Sequence, residues 1–132
     1  MIGYVLRRAQ LTVFDDMART VAPLDLRIAE FSVLVVLDAS PGRTQSAIAA
    51  ALGIQRANFV ALFNRLEVRG LATRKSSPAD RRSHALHLTT AGAALLARAR
   101  ATHAGHEARQ IDRIGADDVA TLLKLLRRLA KP

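Results

Sequence analysis

Gly53 lies between two short segments with helical periodicity, and this arrangement limits the possible folds more than any other feature of the chain. Thr44 is a suitable N-cap for a short first helix, because its side-chain oxygen can accept from an unpaired backbone N–H. A glycine directly after a helix can take the left-handed conformation that ends it. Ala49, four residues earlier, is small enough to let the next helix cross closely. The second helix is predicted from Arg56 to just before Gly70.

The second helix has one apolar face and one face of polar and small residues. The apolar face consists of Phe59, Leu62, Phe63 and Leu66. The opposite face consists of Arg56, Ala57, Asn58, Val60, Ala61, Asn64 and Arg65. An ordinary helical hairpin would show the same periodicity. In a helix-turn-helix, the second helix enters the major groove of DNA, where Asn can bond adenine and Arg can bond guanine in two places. We therefore predict Arg56, Asn58 and Asn64 as base-contacting residues.

Two short extended segments follow, Leu71–Lys75 and Ser83–Leu88, and the loop between them contains Asp80, Arg81 and Arg82. In isolation, a carboxylate before two arginines is typical of a solvated turn with a local ion pair, which contributes little to stability. Directly after a helix-turn-helix, the same loop predicts a basic two-stranded wing. That combination is much rarer than either part.

Further helices are predicted over residues 2–21, 26–38, 90–114 and 116–130. Asp25 is the expected cap of the helix at 26–38, which is apolar on most sides and therefore expected to be buried. Thr89 or Thr90 is the expected cap of the third. The predicted fold is a single domain over residues 1–132, mainly α with a small β wing.

The charge of the chain points to a polyanionic partner. Twenty Lys and Arg against eleven Asp and Glu give +9 over 132 residues. Between Arg43 and Arg82, eight basic and two acidic residues concentrate +6 of that charge. A basic patch on a folded segment is typical of nucleic-acid binding. Only four Phe and one Tyr are available, too few for the stacking platforms of single-strand binders, so duplex DNA is the predicted partner.

Other classes of protein are disfavoured by what the sequence lacks. No apolar run approaches the roughly 20 residues of a membrane span, and the first residues lack the pattern of a signal peptide, so we expect a cytoplasmic protein. The absence of cysteine excludes disulfides and thiolate zinc sites. No nucleophile–base pair, phosphate loop or paired carboxylates suggest an enzyme. His103 and His106 have a spacing suited to a metal, but only Glu107 accompanies them; we expect surface histidines, with no metal and no cofactor.

Four stretches together resemble the MarR family of transcriptional regulators, and the resemblance covers nearly the whole chain. They are Thr44–Ile54, Asn64–Leu71, Asp80–Arg82 and Leu88–Gly92. The resemblance implies a winged helix-turn-helix over about 26–88 and a homodimer formed by helices at about 1–21 and 90–131. It also implies a repressor that a small ligand releases from palindromic DNA.

The resemblance also implies roles for the predicted wing and its surroundings. Arg82 would reach into the minor groove, whose negative potential attracts arginine. Asp80 would hold the tip in shape by accepting from an arginine, and Arg81 would meet phosphate or support the tip. Phosphate contacts are expected from Thr44, Gln45, Ser46, Arg74 and Lys75.

Some residues depart from the family pattern. Ala47 stands where a capping-box Glu is usual, and Gln55 replaces a small polar or acidic cap at the start of the recognition helix. Val60 and Ala61 put apolar groups where polar ones are common, which favours contacts with thymine methyl groups.

The effector is expected between the dimerising helices and the winged region, and an aromatic or lipophilic carboxylate would suit a cationic chain. Arg8, Phe14 and Phe31 are candidates for its pocket. The alternative function is an architectural or protein-docking winged helix that has no effector.

Overall fold

The computed structural model describes residues 1–76 and 84–132, and within them it contains six α-helices and one β-hairpin. The elements are α1 Ile2–Val21, α2 Ile28–Ala39, α3 Gln45–Leu52, α4 Arg56–Val68, β1 Ala72–Ser76, β2 His84–Leu88, α5 Thr90–Ile114 and α6 Ala116–Leu129. A 3-10 turn, Ala22–Leu24, joins α1 to α2. The predicted class, mainly α with a small β wing, is confirmed.

The prediction that Asp25 caps the second helix is wrong. Asp25 has a left-handed backbone (φ 53°) at the end of the 3-10 turn, and α2 begins at Ile28. The side chain of Glu30 performs the capping instead, because its carboxylate accepts from the backbone N–H of Arg27 at 2.9 Å. The turn needs two more residues than predicted to reverse the chain before α2 can start.

Helix α2 lies at the centre of the fold and packs against α1, α3, α4, α5 and β2. Its side chains Val33, Leu34 and Leu37 are almost completely buried, as predicted for a helix that is apolar on most sides. The rest of the core comes from every neighbouring element: Met17, Val21, Ile48, Phe59, Phe63, Leu66, Leu86, Leu96 and Ala99. One core therefore holds α1, the helix-turn-helix and α5 together.

The base of the wing is attached to the segment that leads into α3. Strands β1 and β2 pair in antiparallel register, with Arg74 opposite Leu86. The Gly42 N–H donates to the Leu86 carbonyl at 2.9 Å, and the Leu86 N–H donates to the Arg43 carbonyl at 3.0 Å. These bonds fix the hairpin relative to the helix-turn-helix.

The start of α5 is docked against the end of α4. Thr89, one of the two predicted caps, accepts from the Gly92 N–H at 3.0 Å, and its hydroxyl donates to the Gly70 carbonyl at 2.6 Å. The Thr89 N–H donates to the Leu71 carbonyl at 3.1 Å. Gly92 faces that carbonyl so closely that no side chain fits between them.

Within residues 1–76 and 84–132, no single helix is both long and apolar enough to cross a membrane. Helices α3 and α4 reach that length and composition only when taken together, across a bend of 111°.

Candidate nucleic-acid interface

Helices α3 and α4 form a helix-turn-helix. Thr44 caps α3 by accepting from the Ala47 N–H at 3.2 Å, and Gly53 ends it with a left-handed φ of 65°. The two helices then diverge by 111°, within the range of about 90–120° for this motif. Gln55 makes no side-chain cap at the start of α4.

The apolar stripe of α4 anchors the helix and directs its other face outward. Phe59, Phe63 and Leu66 are fully buried. Of the seven predicted DNA-facing residues, Val60 and Arg65 are half-buried, and the exposed ones are Arg56, Ala57, Asn58, Ala61 and Asn64. The structure thus places the predicted base-contacting residues together on one accessible face.

Arg74 of β1 connects the wing to both helices of the motif. Its guanidinium lies 2.7 Å from the Glu67 carboxylate, 2.9 Å from Asn64 Oδ1 and 3.4 Å from Gln45 Oε1. Its Cζ lies 4.6 Å from the centroid of the Phe63 ring, a cation–π distance. The Arg74 side chain is only 19% exposed, which reflects these contacts within the chain.

Two more arginines attach α4 to α2 and to the turn before it. Arg65 Nε lies 3.3 Å from Oε2 of Glu30, whose side chain is completely buried. Arg69 donates to the backbone carbonyl oxygens of Asp25 and, at 3.3 Å, Leu24. Since buried carboxylates are rarely found without a partner, the Glu30–Arg65 pair is a structural link between α2 and α4.

These contacts refine the predictions for individual residues. Arg65 and Arg74, predicted at the DNA, both have partners within the chain, while Ser46 and Lys75 are exposed. Contacts of any of these residues with DNA stay predictions. Asp80, Arg81 and Arg82 lie outside the described residues.

An apolar groove of about 950 Å³ lies between α1 and the α5–α6 segment. It is lined by Ile2, Val5, Leu6, Arg8, Phe14, Arg113, Leu122, Leu126 and Leu129, among others. Of the three candidate ligand residues, Arg8 and Phe14 line this groove. Phe31 does not, because it is 7% exposed in the core, with its ring centroid 5.4 Å from that of His103.

Asp16 of α1 is bound by three side chains of α5. His106 Nδ1 lies 2.6 Å from Asp16 Oδ2, Arg109 Nη2 lies 3.1 Å from the same oxygen, and Gln110 Nε2 donates to it at 3.1 Å. The hydrogen bonds from Arg109 and then His106 hold the pKa of the Asp16 carboxyl below its ordinary value. His106 is 3% exposed, so the expectation of a surface histidine is wrong for this residue.

We predict that Asp16→Asn lowers the melting temperature at pH 7. Because the Asp16 pKa is lower in the folded state, the carboxylate stabilises the fold above its unfolded pKa of roughly 3.9. This contribution is lost as the pH falls through the folded-state pKa. Thermal melts from pH 7 to pH 3 should therefore show the difference between variant and parent shrinking with acid.

The adjacent substitution Asp15→Asn is the control. Asp15 pairs with Arg19 at 3.0 Å, but both side chains are at least 65% exposed, so little stability depends on it. Equal effects of the two substitutions at pH 7 would contradict the role of the Asp16 cluster.

No group of three or more potential metal ligands is present in the described part of the chain. His103 lies 3.6 Å from Glu107 and its ring centroid is 5.6 Å from that of His106. Both histidines are therefore engaged in side-chain packing between α1, α2 and α5.

Sequence reasoning missed Glu30 and the Asp16 cluster. Glu30 is the only acidic residue in the first turns of an apolar helix and stands three residues after its N-cap, Arg27, so a local signal existed. Asp16 and His106 are 90 positions apart, and no pattern in one sequence connects them.

Comparison with known proteins identifies the family. A sequence model described as the MarR family matches residues 24–83. A putative transcriptional regulatory protein for the hcr operon of Thauera aromatica is 35% identical over 129 residues, covering 97% of this chain and 78% of that protein. The structure of the transcriptional repressor CouR bound to a 23-mer DNA duplex is similar with a TM-score of 0.96 and 52% identity, covering 99% of this chain and 93% of CouR. The chain belongs to the MarR family.

A second CouR structure, bound to p-coumaroyl-CoA, is similar with a TM-score of 0.91 and 48% identity, covering 99% of this chain and 92% of that one. MarR-family proteins are transcriptional regulators rather than enzymes. The predicted winged helix-turn-helix fold and the predicted class of function, transcription regulation through DNA, are therefore confirmed.

Proposed function

We propose that this chain is a cytoplasmic, homodimeric repressor that binds a palindromic operator and is released by an aromatic acyl-CoA thioester. It has no catalytic role. The observation that carries the proposal is the outward face of α4, which presents Arg56, Asn58 and Asn64 from a helix anchored by buried phenylalanines. The 52% identity to CouR, a repressor seen on DNA, supports it.

The dimer would form through α1 and α6. Ile2 is 72% exposed, Val5 56% and Leu129 53%, and these side chains line one apolar groove. Monomeric proteins rarely expose contiguous apolar patches of this kind. A second copy of the chain, seated with two-fold symmetry on the same helices, would cover the groove and set the distance between the two α4 helices.

Base contacts are assigned to the outward face of α4, starting in its first turn. Arg56 and Asn58 lie in its first turn, the part of a recognition helix that contacts base edges. Ala61 is exposed and Val60 half-exposed on the same face, which suits contact with thymine methyl groups.

The effector is assigned as a thioester rather than the free carboxylate expected from charge alone. The support is the CouR structure that holds p-coumaroyl-CoA. Arg8, Phe14 and Arg113 also line the groove, so the part of it that the second copy leaves open would offer a ligand both guanidinium groups and apolar side chains. Such a mixture suits a molecule with phosphates at one end and an aromatic acyl group at the other.

Selection of bound duplexes from a random pool, followed by ligand titration, tests this function. We expect a palindrome with half-sites about 10 base pairs apart, centre to centre, and release by p-coumaroyl-CoA. CoA and free p-coumarate, at the same concentrations, should leave the complex intact. Uniform coverage of DNA without a palindrome would favour an architectural module, and failure of every thioester to release DNA would reject the effector.

Two substitutions distinguish general affinity for duplex DNA from recognition of its base sequence. Arg82→Ala should weaken binding to operator and unrelated duplex alike and reduce the slope of log K against log salt by about 1. Asn58→Ala should relax preference at one base pair per half-site, by about tenfold. Fluorescence anisotropy across a salt series measures both, and unchanged duplex affinity of Arg82→Ala at moderate salt would reject the wing assignment.

A further inference from the structure

The contacts of Arg74 determine how the side-chain amide of Asn64 is turned. A guanidinium has five N–H donors and no acceptor. An amide that bonds to it must therefore offer its oxygen. At 2.9 Å from Arg74, the oxygen of Asn64 faces the wing, and its NH2 group is the part left to bond elsewhere.

This orientation is stable because Arg74 itself has little freedom. Glu67 pairs with its guanidinium at 2.7 Å and accepts from its backbone N–H at 3.3 Å. The guanidinium carbon also lies over the Phe63 ring, 4.6 Å from its centroid. Arginine also keeps its charge at any physiological pH, so the donor set facing Asn64 does not change with conditions.

An amide held in one orientation can form hydrogen bonds with fewer bases than a free one. Adenine is recognised when the Asn oxygen accepts from N6 while the Asn NH2 group donates to N7. The amide oxygen has a second lone pair, but Arg74 holds this oxygen toward the wing, so an adenine amino group in the groove would face the NH2 group of Asn64 instead. Guanine offers two acceptors, O6 and N7, on its major-groove edge, and an outward NH2 group matches them without competition.

We propose that Arg74 is a positioning residue that sets the base preference of Asn64: it holds the amide with its nitrogen toward DNA, so that Asn64 selects guanine over adenine. Asn64 is exposed on the outward face of α4, where this preference can act. The inference rests on the proposed function, since it needs α4 to lie in the major groove, and it replaces the sequence-based expectation that an asparagine here bonds adenine in two places.

The test compares the selected operators of five proteins, the parent and four variants. Asn64→Ala identifies the base pair that Asn64 contacts, because preference there is lost. In the parent protein, guanine should be favoured over adenine at that position by roughly tenfold. In Arg74→Gln, whose side chain both donates and accepts, this preference should fall below about twofold, while the remaining positions of the operator stay unchanged.

Arg100→Gln is the matched control. Arg100 of α5 pairs with Asp38 at 3.1 Å, so the same substitution removes one charge and one ion pair without touching Asn64. Its operator preference should equal that of the parent. Melting temperatures of both variants show whether Arg74→Gln remains folded.

Asn64→Asp provides a second route that leaves Arg74 intact. The carboxylate has the same shape and can still pair with the guanidinium, but it has no donor. Preference at the same base pair should move to cytosine, whose N4 amino group donates to a carboxylate. This result is expected even if Arg74→Gln fails to fold.

The outcomes separate the inference from the function on which it rests. Adenine at the position identified by Asn64→Ala, or a uniform loss of affinity in Arg74→Gln with the guanine preference intact, would overturn the positioning role alone. A parent protein that selects no sequence at all would overturn the proposed function together with it.

Discussion

Replacing Gly92 by alanine is expected to destabilise the protein by about 3 kcal/mol or more, at the upper end of the cost of overpacking a core. A Cβ at this position would lie 1.9 Å from the Leu71 carbonyl oxygen and 3.2 Å from Cδ2 of Leu88. The first of these atoms belongs to the backbone and accepts the Thr89 N–H, so it cannot move without breaking the junction between α4 and α5. Thermal melts at a fixed protein concentration measure the loss.

Gly105→Ala in the same helix is the control, and we expect it to stabilise the protein slightly instead of destabilising it. A Cβ there would lie 3.5 Å from Arg109 Nη1, an ordinary contact, and α5 continues through this position without a break. Alanine in a helix interior is favoured over glycine by about 0.5–1 kcal/mol. If Gly92→Ala melts as the parent does, the close packing of α5 against Leu71 is not a feature of the protein in solution.

Leu126→Glu is expected to give a monomer that binds the operator at least about 100-fold more weakly, because linked binding of two half-sites is lost. Leu126 is 37% exposed in the single chain and lines the apolar groove formed with α1. A carboxylate placed there would have to be desolvated when a second copy covers the groove. Sedimentation velocity and anisotropy with the selected palindrome measure the two effects.

Thr121→Glu adds the same charge to the same helix at an exposed position outside the groove. It should remain dimeric and keep its affinity within about twofold, since surface substitutions away from special features change little. A dimeric Leu126→Glu variant would place the subunit interface on another surface.

The helix-turn-helix was predictable because its signals are local. A capping threonine, a glycine after eight helical residues and an apolar stripe at three-to-four spacing all act within one or two turns of the chain. The same holds for Thr89 at the start of α5. The prediction for Asp25 failed because a local signal was not enough: Asp25 has the right chemistry for a cap, but the chain forms a 3-10 turn there and α2 starts three residues later.

The roles of the arginines were not predictable in the same way. Composition shows that Arg65, Arg69 and Arg74 add positive charge, but their partners lie 7 to 45 positions away along the chain. A sequence therefore indicates a basic surface without showing which cations are occupied within the protein. Phe31, a candidate for the effector pocket, packs in the core beside His103 of α5, and its contact with an effector stays a prediction.

The bonds from Arg69 to the turn between α1 and α2 end on main-chain oxygens at Leu24 and Asp25. Every amino acid supplies such an oxygen, so the bonds themselves do not depend on the side chains at these two positions. This contact therefore depends on the side-chain chemistry of Arg69 at one end and only on the path of the backbone through Leu24 and Asp25 at the other.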